Sequence, residues 1–185
     1  MIVFVQDLFV QDYVGGGELT TQAIIEATKI PILTIHSQQL TKKIIDQHQN
    51  KYWIFGNCAG LSNDILLYIS KNLNYSVIEY DYKFCSYRLR EKHIDVEGSC
   101  ECEASTRGKL FSIFFANAND LWFMSSGQQQ IYYDLFPFLD KPTTQVLSSI
   151  FNPTTVQYIN SLDISNKTNI WLIQDSPSWV KGSNK

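Results

Sequence analysis

Residues Val14–Thr20 read VGGGELT, three successive glycines between an apolar run and a helical pattern. Upstream, Ile2–Val5 (IVFV) has the character of a short strand. Downstream, Glu18–Lys29 (ELTTQAIIEATK) places Leu19, Ala23, Ile24 and Ala27 close to one face at helical spacing. The order is strand, glycine-bearing loop, helix, which is the opening unit of an α/β domain. A glycine inside a helix or strand costs about 0.5–1 kcal/mol, so the run reads as loop rather than helix. Two readings of it stand. Bare N–H groups at a helix N-terminus attract an anion, or the glycines make a tight turn with close helix–sheet packing.

The same alternation continues along the chain. Ile30–His36 (IPILTIH), Tyr52–Gly56 (YWIFG), Tyr75–Tyr82 (YSVIEYDY), Asp120–Ser125 (DLWFMS), Thr144–Ser149 (TQVLSS) and Asn169–Asp175 (NIWLIQD) read as further strands. Between them lie amphipathic segments, including GKLFSIFFANA, GQQQIYYDLF and PTTVQYINSL, the last with Pro153 suited to a first helical turn. Runs apolar at consecutive positions suit strands buried on both faces. The expected fold is α/β: a Rossmann-like, doubly wound, mostly parallel sheet of about six or seven strands with helices on both faces. Residues 1–185 read as one such domain, with a polar, cysteine-rich loop insertion at 83–107 that overhangs the strand ends, where ligands of these sheets bind.

Composition narrows the function classes. The 185 residues are 44% hydrophobic and only 18% charged, so the chain is globular. A formal charge of −3 argues against nucleic-acid and anionic-membrane binding, both of which need a basic face. No apolar run approaches the roughly 20 residues of a membrane span. The start MIVFVQD lacks the marks of a signal peptide, and a cytoplasmic location is expected. Cys58, Cys85, Cys100 and Cys102 then read as reduced thiols. Cys85, His93, Cys100 and Cys102 raise the question of zinc, but C-x-C with one distant histidine lacks the usual C-x₂₋₄-C spacing. No metal and no cofactor are expected.

The motifs exclude several chemistries. A G-x-G-x-x-G run would need glycine at Thr20, and no Gly-Lys-Ser/Thr occurs, so neither dinucleotide binding nor a P-loop is supported. No G-x-S-x-G elbow is present. A flavodoxin- or receiver-like role is disfavoured by the missing acidic pair after the first strand and by the wrong phosphate loop. What remains is a polar loop with Asp7, Gln11 and Asp12 leading into Gly15–Gly17 and Glu18. Asp81 ends a strand and points to the crevice or caps the next loop. His36 reads as a satisfied strand-end histidine, and Ser125 and Ser126 as helix caps.

GGGE at Gly15–Glu18 resembles the GG-x-E element of the N-terminal domain of family-4-type glycosyltransferases of the GT-B fold. EYDYKFCSYR (79–88), CECEASTRGKLFSIFFANANDLWFMSSGQ (100–128), FPFL (136–139), VLSSIF (146–151) and SPSWVKG (176–182) are similar to a bacterial or viral subgroup of those enzymes. The resemblance implies the acceptor-side half of a two-domain enzyme that moves a sugar from a nucleotide-sugar to a glycan or lipid-linked acceptor. It implies that Gly15, Gly16, Gly17 and Glu18 lie at the donor diphosphate or sugar, with Glu18 fixing the loop. It places Asp81, Tyr82, Arg88 and Gln128 at the acceptor, and it assigns no catalytic residue. The nucleotide-sugar is a co-substrate. The donor-binding C-terminal domain, with its paired glutamates and basic residues, has no counterpart here, so the chain reads as truncated. The alternative is a non-catalytic Rossmann-like module for binding or interaction.

Overall fold

The computed structural model describes residues 1–139 and 142–162, and the chain divides after Phe151 into two units. The first contains six strands: β1 (Ile2–Gln6), β2 (Ile32–His36), β3 (Tyr52–Phe55), β4 (Asn74–Glu79), β5 (Asp120–Phe123) and β6 (Thr143–Val146). All pair in parallel, in the order β2-β1-β3-β4-β5-β6. Six helices accompany them: α1 (Gly16–Ala27), α2 (Lys42–Gln47), α3 (Asn63–Asn72), α4 (Arg90–Glu97), α5 (Thr106–Ala116) and α6 (Ser126–Leu135). In the second unit, α7 (Pro153–Ser161) is capped by Asn152, whose side chain accepts from the Thr155 N–H, and Pro153 lies in the first turn. The strand expected at Asn169–Asp175 and the turn at Ser176–Pro177 lie outside the described residues.

This is the doubly wound α/β sheet that the alternating runs predict. Its order is the flavodoxin-type variant with an added strand, and the winding reverses between β1 and β3. Right-handed crossovers then send α1 to one face and the later helices to the other. Side-chain packing agrees. Phe4, Ile54 and Ile78 meet Ile24 and Ile25 of α1 on one face. Val3, Val5, Trp53, Phe55, Val77 and Phe123 meet Ile45, Leu66, Ile69, Phe114 and Tyr132 on the other. The second face is aromatic-rich: Phe55, Tyr75, Phe114, Phe115, Tyr132 and Phe136 form a continuous set of stacked, tilted and edge-on ring pairs. Such pairs add about 0.5–1.5 kcal/mol each beyond the area they bury.

Several boundaries differ from the sequence reading, each for a local reason. The helix after β1 begins at Gly16. First-turn N–H groups have no intrahelical acceptor in any case, so glycine is tolerated there. The fourth strand stops at Glu79 instead of Tyr82, because the Glu79 carboxylate accepts from the Lys83 backbone N–H (2.7 Å) and turns the chain out of the sheet. The last strand of the first unit ends at Val146, and Ser148 adopts φ 62°. The insertion at 83–107 is not a plain loop. It holds α4, which is charged over most of its surface and buries only His93, a 3₁₀ turn at Cys102–Ala104, and the start of α5.

Candidate functional site

Asp7, the residue after β1, organises the carboxyl edge of the sheet at the switch point. Its side chain accepts from the backbone N–H groups of Ala59 (2.9 Å) and Gly60 (3.1 Å), which follow β3. It also accepts from the Ser37 hydroxyl, which follows β2. Arg88 completes the set from beyond β4, with Nη1 3.5 Å from Asp7 and Nη2 2.6 Å from Asp81. One carboxylate thus ties together the loops that leave four strands. Burial works against the charge on Arg88, but the Asp81 and Asp7 carboxylates outweigh it and raise its pKa further. Arg88 sits at φ 57°, a left-handed conformation that non-glycine residues adopt at a cost of roughly 1–2 kcal/mol. Its Nε and Asp81 Oδ1 are buried without a hydrogen-bond partner.

The glycine run lies on the same edge. Gly15 is the N-cap in extended conformation, and the Glu18 carboxylate folds back over it. That places a negative group at the positive end of α1, a favourable arrangement. Gly17 lies against Asn57 and Tyr80, from the loops after β3 and β4, whereas a side chain on Gly16 would meet nothing within 4 Å. Beneath them Thr21 donates to Gln6 Oε1 (2.5 Å) and shares a hydrogen bond with the Tyr80 hydroxyl (2.7 Å). Burial pushes the Tyr80 phenol up.

The other residues that the sequence singles out are engaged within the protein. Gln128 is buried; its Oε1 accepts from Met124 N–H (2.8 Å) and its Nε2 donates to the Asp81 carbonyl (3.3 Å). It latches the loop after β5 to the loop after β4. Tyr82 stacks on Tyr132 and meets the edge of Phe84, and burial pushes its hydroxyl up to about 12. Ser125 caps α6 through the Gln128 N–H. His36 Nδ1 lies 3.2 Å from the Asp7 carbonyl, and its ring meets Phe9 edge-on.

Two features were not anticipated from the sequence. The first is an ion pair, Lys83 with Glu79, joined at 2.5 Å with both side chains almost wholly buried. Lys83 also donates to the Ile78 carbonyl (2.8 Å), and the Tyr132 hydroxyl donates to Glu79. Burial drives the Glu79 carboxyl up while the Lys83 ammonium opposes the shift. Its sequence signal is a carboxylate ending an apolar strand with a lysine four residues on. The second is a pocket of about 370 Å³ lined by Ala59, Ser86, Arg88, Cys102, Arg107 and Phe111, among others. Arg107 donates to the Ala59 carbonyl (3.1 Å) and Asn63 Oδ1 (2.8 Å) and lies over the Phe111 ring. Two guanidinium groups therefore flank this pocket.

On the pocket's far side the insertion closes on itself. One donor atom from each of Cys85, His93, Cys100 and Cys102 lies within 4.8 Å of all the others. These are the four residues at which the sequence raises the question of zinc, and the fold brings them together although C-x-C departs from the usual ligand spacing.

Comparison with protein-family models, with curated proteins and with solved structures gives no match. Among the described residues no helix is long and apolar enough to cross a membrane.

Proposed function

We propose that residues 1–151 are the acceptor-side half of a GT-B sugar transferase that moves a sugar from a nucleotide-sugar to a glycan or lipid-linked acceptor. The observation that supports this reading is the position of Gly17 against Asn57 and Tyr80 at the β1–β3 switch point, with Gly16 open beside it. Here an exposed helix N-terminus borders the crevice in which doubly wound sheets hold ligands. Glu18 fixes the run from behind. Asp81 and Arg88, paired with each other at this edge, offer charged side chains for a hydroxyl-bearing acceptor, and Arg107 adds a second guanidinium to the adjoining pocket. In the reaction an acceptor hydroxyl forms the new bond to the anomeric carbon. The bond to the diphosphate breaks, and the hydroxyl proton leaves to a base that we do not assign. A cytoplasmic nucleotide-sugar pool would supply the donor.

The test is nucleotide-sugar turnover by the complete gene product, wild type against Gly16→Val. The added side chain meets no neighbour, so the fold is retained while the backbone is covered. A fall of about 100-fold is expected, the loss that a misplacement of about 1 Å produces. Undiminished turnover removes the glycine run from the mechanism. A wild-type protein that turns over no nucleotide-sugar leaves a non-catalytic binding module.

A further inference from the structure

The insertion between β4 and α5 contains a set of side chains for which sugar transfer has no use. Cys85 Sγ lies 3.4 Å from His93 Nδ1 and 3.8 Å from Cys100 Sγ, and Cys102 Sγ lies 3.4 Å from the same histidine nitrogen. With zinc bonds of about 2.3 Å to sulfur and 2.0–2.1 Å to nitrogen, a regular tetrahedron has edges of about 3.8 Å between sulfurs and 3.6 Å between sulfur and nitrogen. These three separations lie close to those edges, and every other pair of donors lies within 4.8 Å. A disulfide would engage only two of the four residues and would leave the histidine nitrogen between sulfurs without a role.

The surroundings are those of a metal centre. His93 Nε2 lies 3.0 Å from Glu97 Oε2, one turn along α4, and Tyr87 donates to the other oxygen of that carboxylate (2.6 Å). A carboxylate on the far nitrogen of a ligating histidine fixes ring orientation and directs the other nitrogen to the metal. The Tyr87 ring stacks on His93 at 4.4 Å. The Ser86 backbone N–H donates to Cys102 Sγ at 3.5 Å, a bond suited to a thiolate.

Three separately held elements bring the donors together. Cys85 sits in a turn closed by its N–H to the Tyr82 carbonyl and by Arg88 N–H to its own carbonyl, both 2.9 Å. His93 comes from the first half of α4, which ends at Gly98 in the left-handed region that glycine permits. Cys100 and Cys102 follow and pack on Gly108 of α5, where a Cβ would overlap the Cys102 carbonyl and approach Glu103 Cα to 2.8 Å.

We infer that Cys85, His93, Cys100 and Cys102 form a structural zinc site that fixes the 83–105 segment and, through the Cys85 turn, the backbone of Arg88. Three soft thiolates and one imidazole in a tetrahedron select zinc among the common divalent metals. Four protein donors leave no position for substrate, and Cys85, His93 and Cys100 are buried, so the metal shapes the site and does no chemistry. This inference does not depend on the sugar-transfer reading.

The test is metal analysis of the chain purified under reducing conditions without chelator and then exposed to Zn²⁺ alone. One equivalent of zinc per chain is expected, and Co²⁺ in its place should give thiolate charge-transfer bands and the strong visible absorption of tetrahedral coordination. Cys102→Ser should lose stoichiometric zinc. Because that variant can also fail to fold, Glu97→Gln provides the second measurement. Its side chain is half exposed, and competition with a chelator should show zinc affinity lowered about 10–100-fold with the circular dichroism unchanged. A reduced wild-type chain that takes up no zinc would overturn the assignment. So would zinc retained at full affinity in both variants, which would put the metal elsewhere, or a Cys85–Cys100 disulfide in the freshly isolated protein.

Discussion

The crevice around Asp7 and the cluster of Cys85, His93, Cys100 and Cys102 both reach one pocket, through Arg88 and through Cys85 and Cys102, and they are held by opposite means. In the crevice, hard charges neutralise one another across long stretches of chain: Asp7 meets Arg88 and the amides of Ala59 and Gly60, and Arg88 meets Asp81. Some of its polar atoms still lack partners. In the cluster, the donor atoms of three cysteines and one histidine converge within 4.8 Å, and the zinc inferred above would satisfy them together. The two regions are joined directly, by the Arg88 N–H donating to the Cys85 carbonyl.

Chelation at neutral pH breaks the comparison most directly. Removing zinc should lower stability by about 5 kcal/mol or more, since metal binding free energy at a structural site is folding free energy, and calorimetry with and without chelator measures it. The released 83–105 segment should also gain hydrogen exchange, while β1–β3 keep theirs. Next in size is Lys83→Met, which leaves the Glu79 carboxylate buried and unpaired. A loss of about 3–5 kcal/mol is expected, and Lys83→Met with Glu79→Gln should recover part of it in denaturant titrations.

Gly108→Ala should cost about 1–3 kcal/mol, because the added methyl meets backbone that cannot move aside freely. It should weaken zinc binding as well, which Gly16→Ala in the crevice should not. The smallest effect isolates Arg88. Arg88→Ala and Arg88→Gly both remove the ion pairs, but glycine accepts the left-handed backbone, so Arg88→Gly should be the more stable by about 1 kcal/mol. Equal stability would show that the backbone relaxes once the charges are gone.

The legibility of the two regions in the sequence differs for a physical reason. Strand periodicity, the glycine run, the cap at Ser125 and the first-turn Pro153 are local, and a window of a few residues contains the whole signal. The Asp7–Arg88 pair spans 81 positions, so nothing local announces it. Glu79 and Lys83 are close in sequence, but their burial is tertiary. The zinc ligands were set aside on spacing, and that rule applies where two donors leave one short turn. Here Cys85 comes from a turn, His93 from a helix, and Cys100 and Cys102 from the segment after it.

The amino-acid order alone therefore determined the alternating α/β architecture, because burial on a sheet or helix face imposes its period on neighbouring residues. Only the tertiary structure decided which charges meet at the β1–β3 edge and that three cysteines and a histidine share one point. The charges come from distant loops that the crossovers bring to one end of the sheet, whereas the four donors lie within residues 85–102 and meet through the folding of a single insertion.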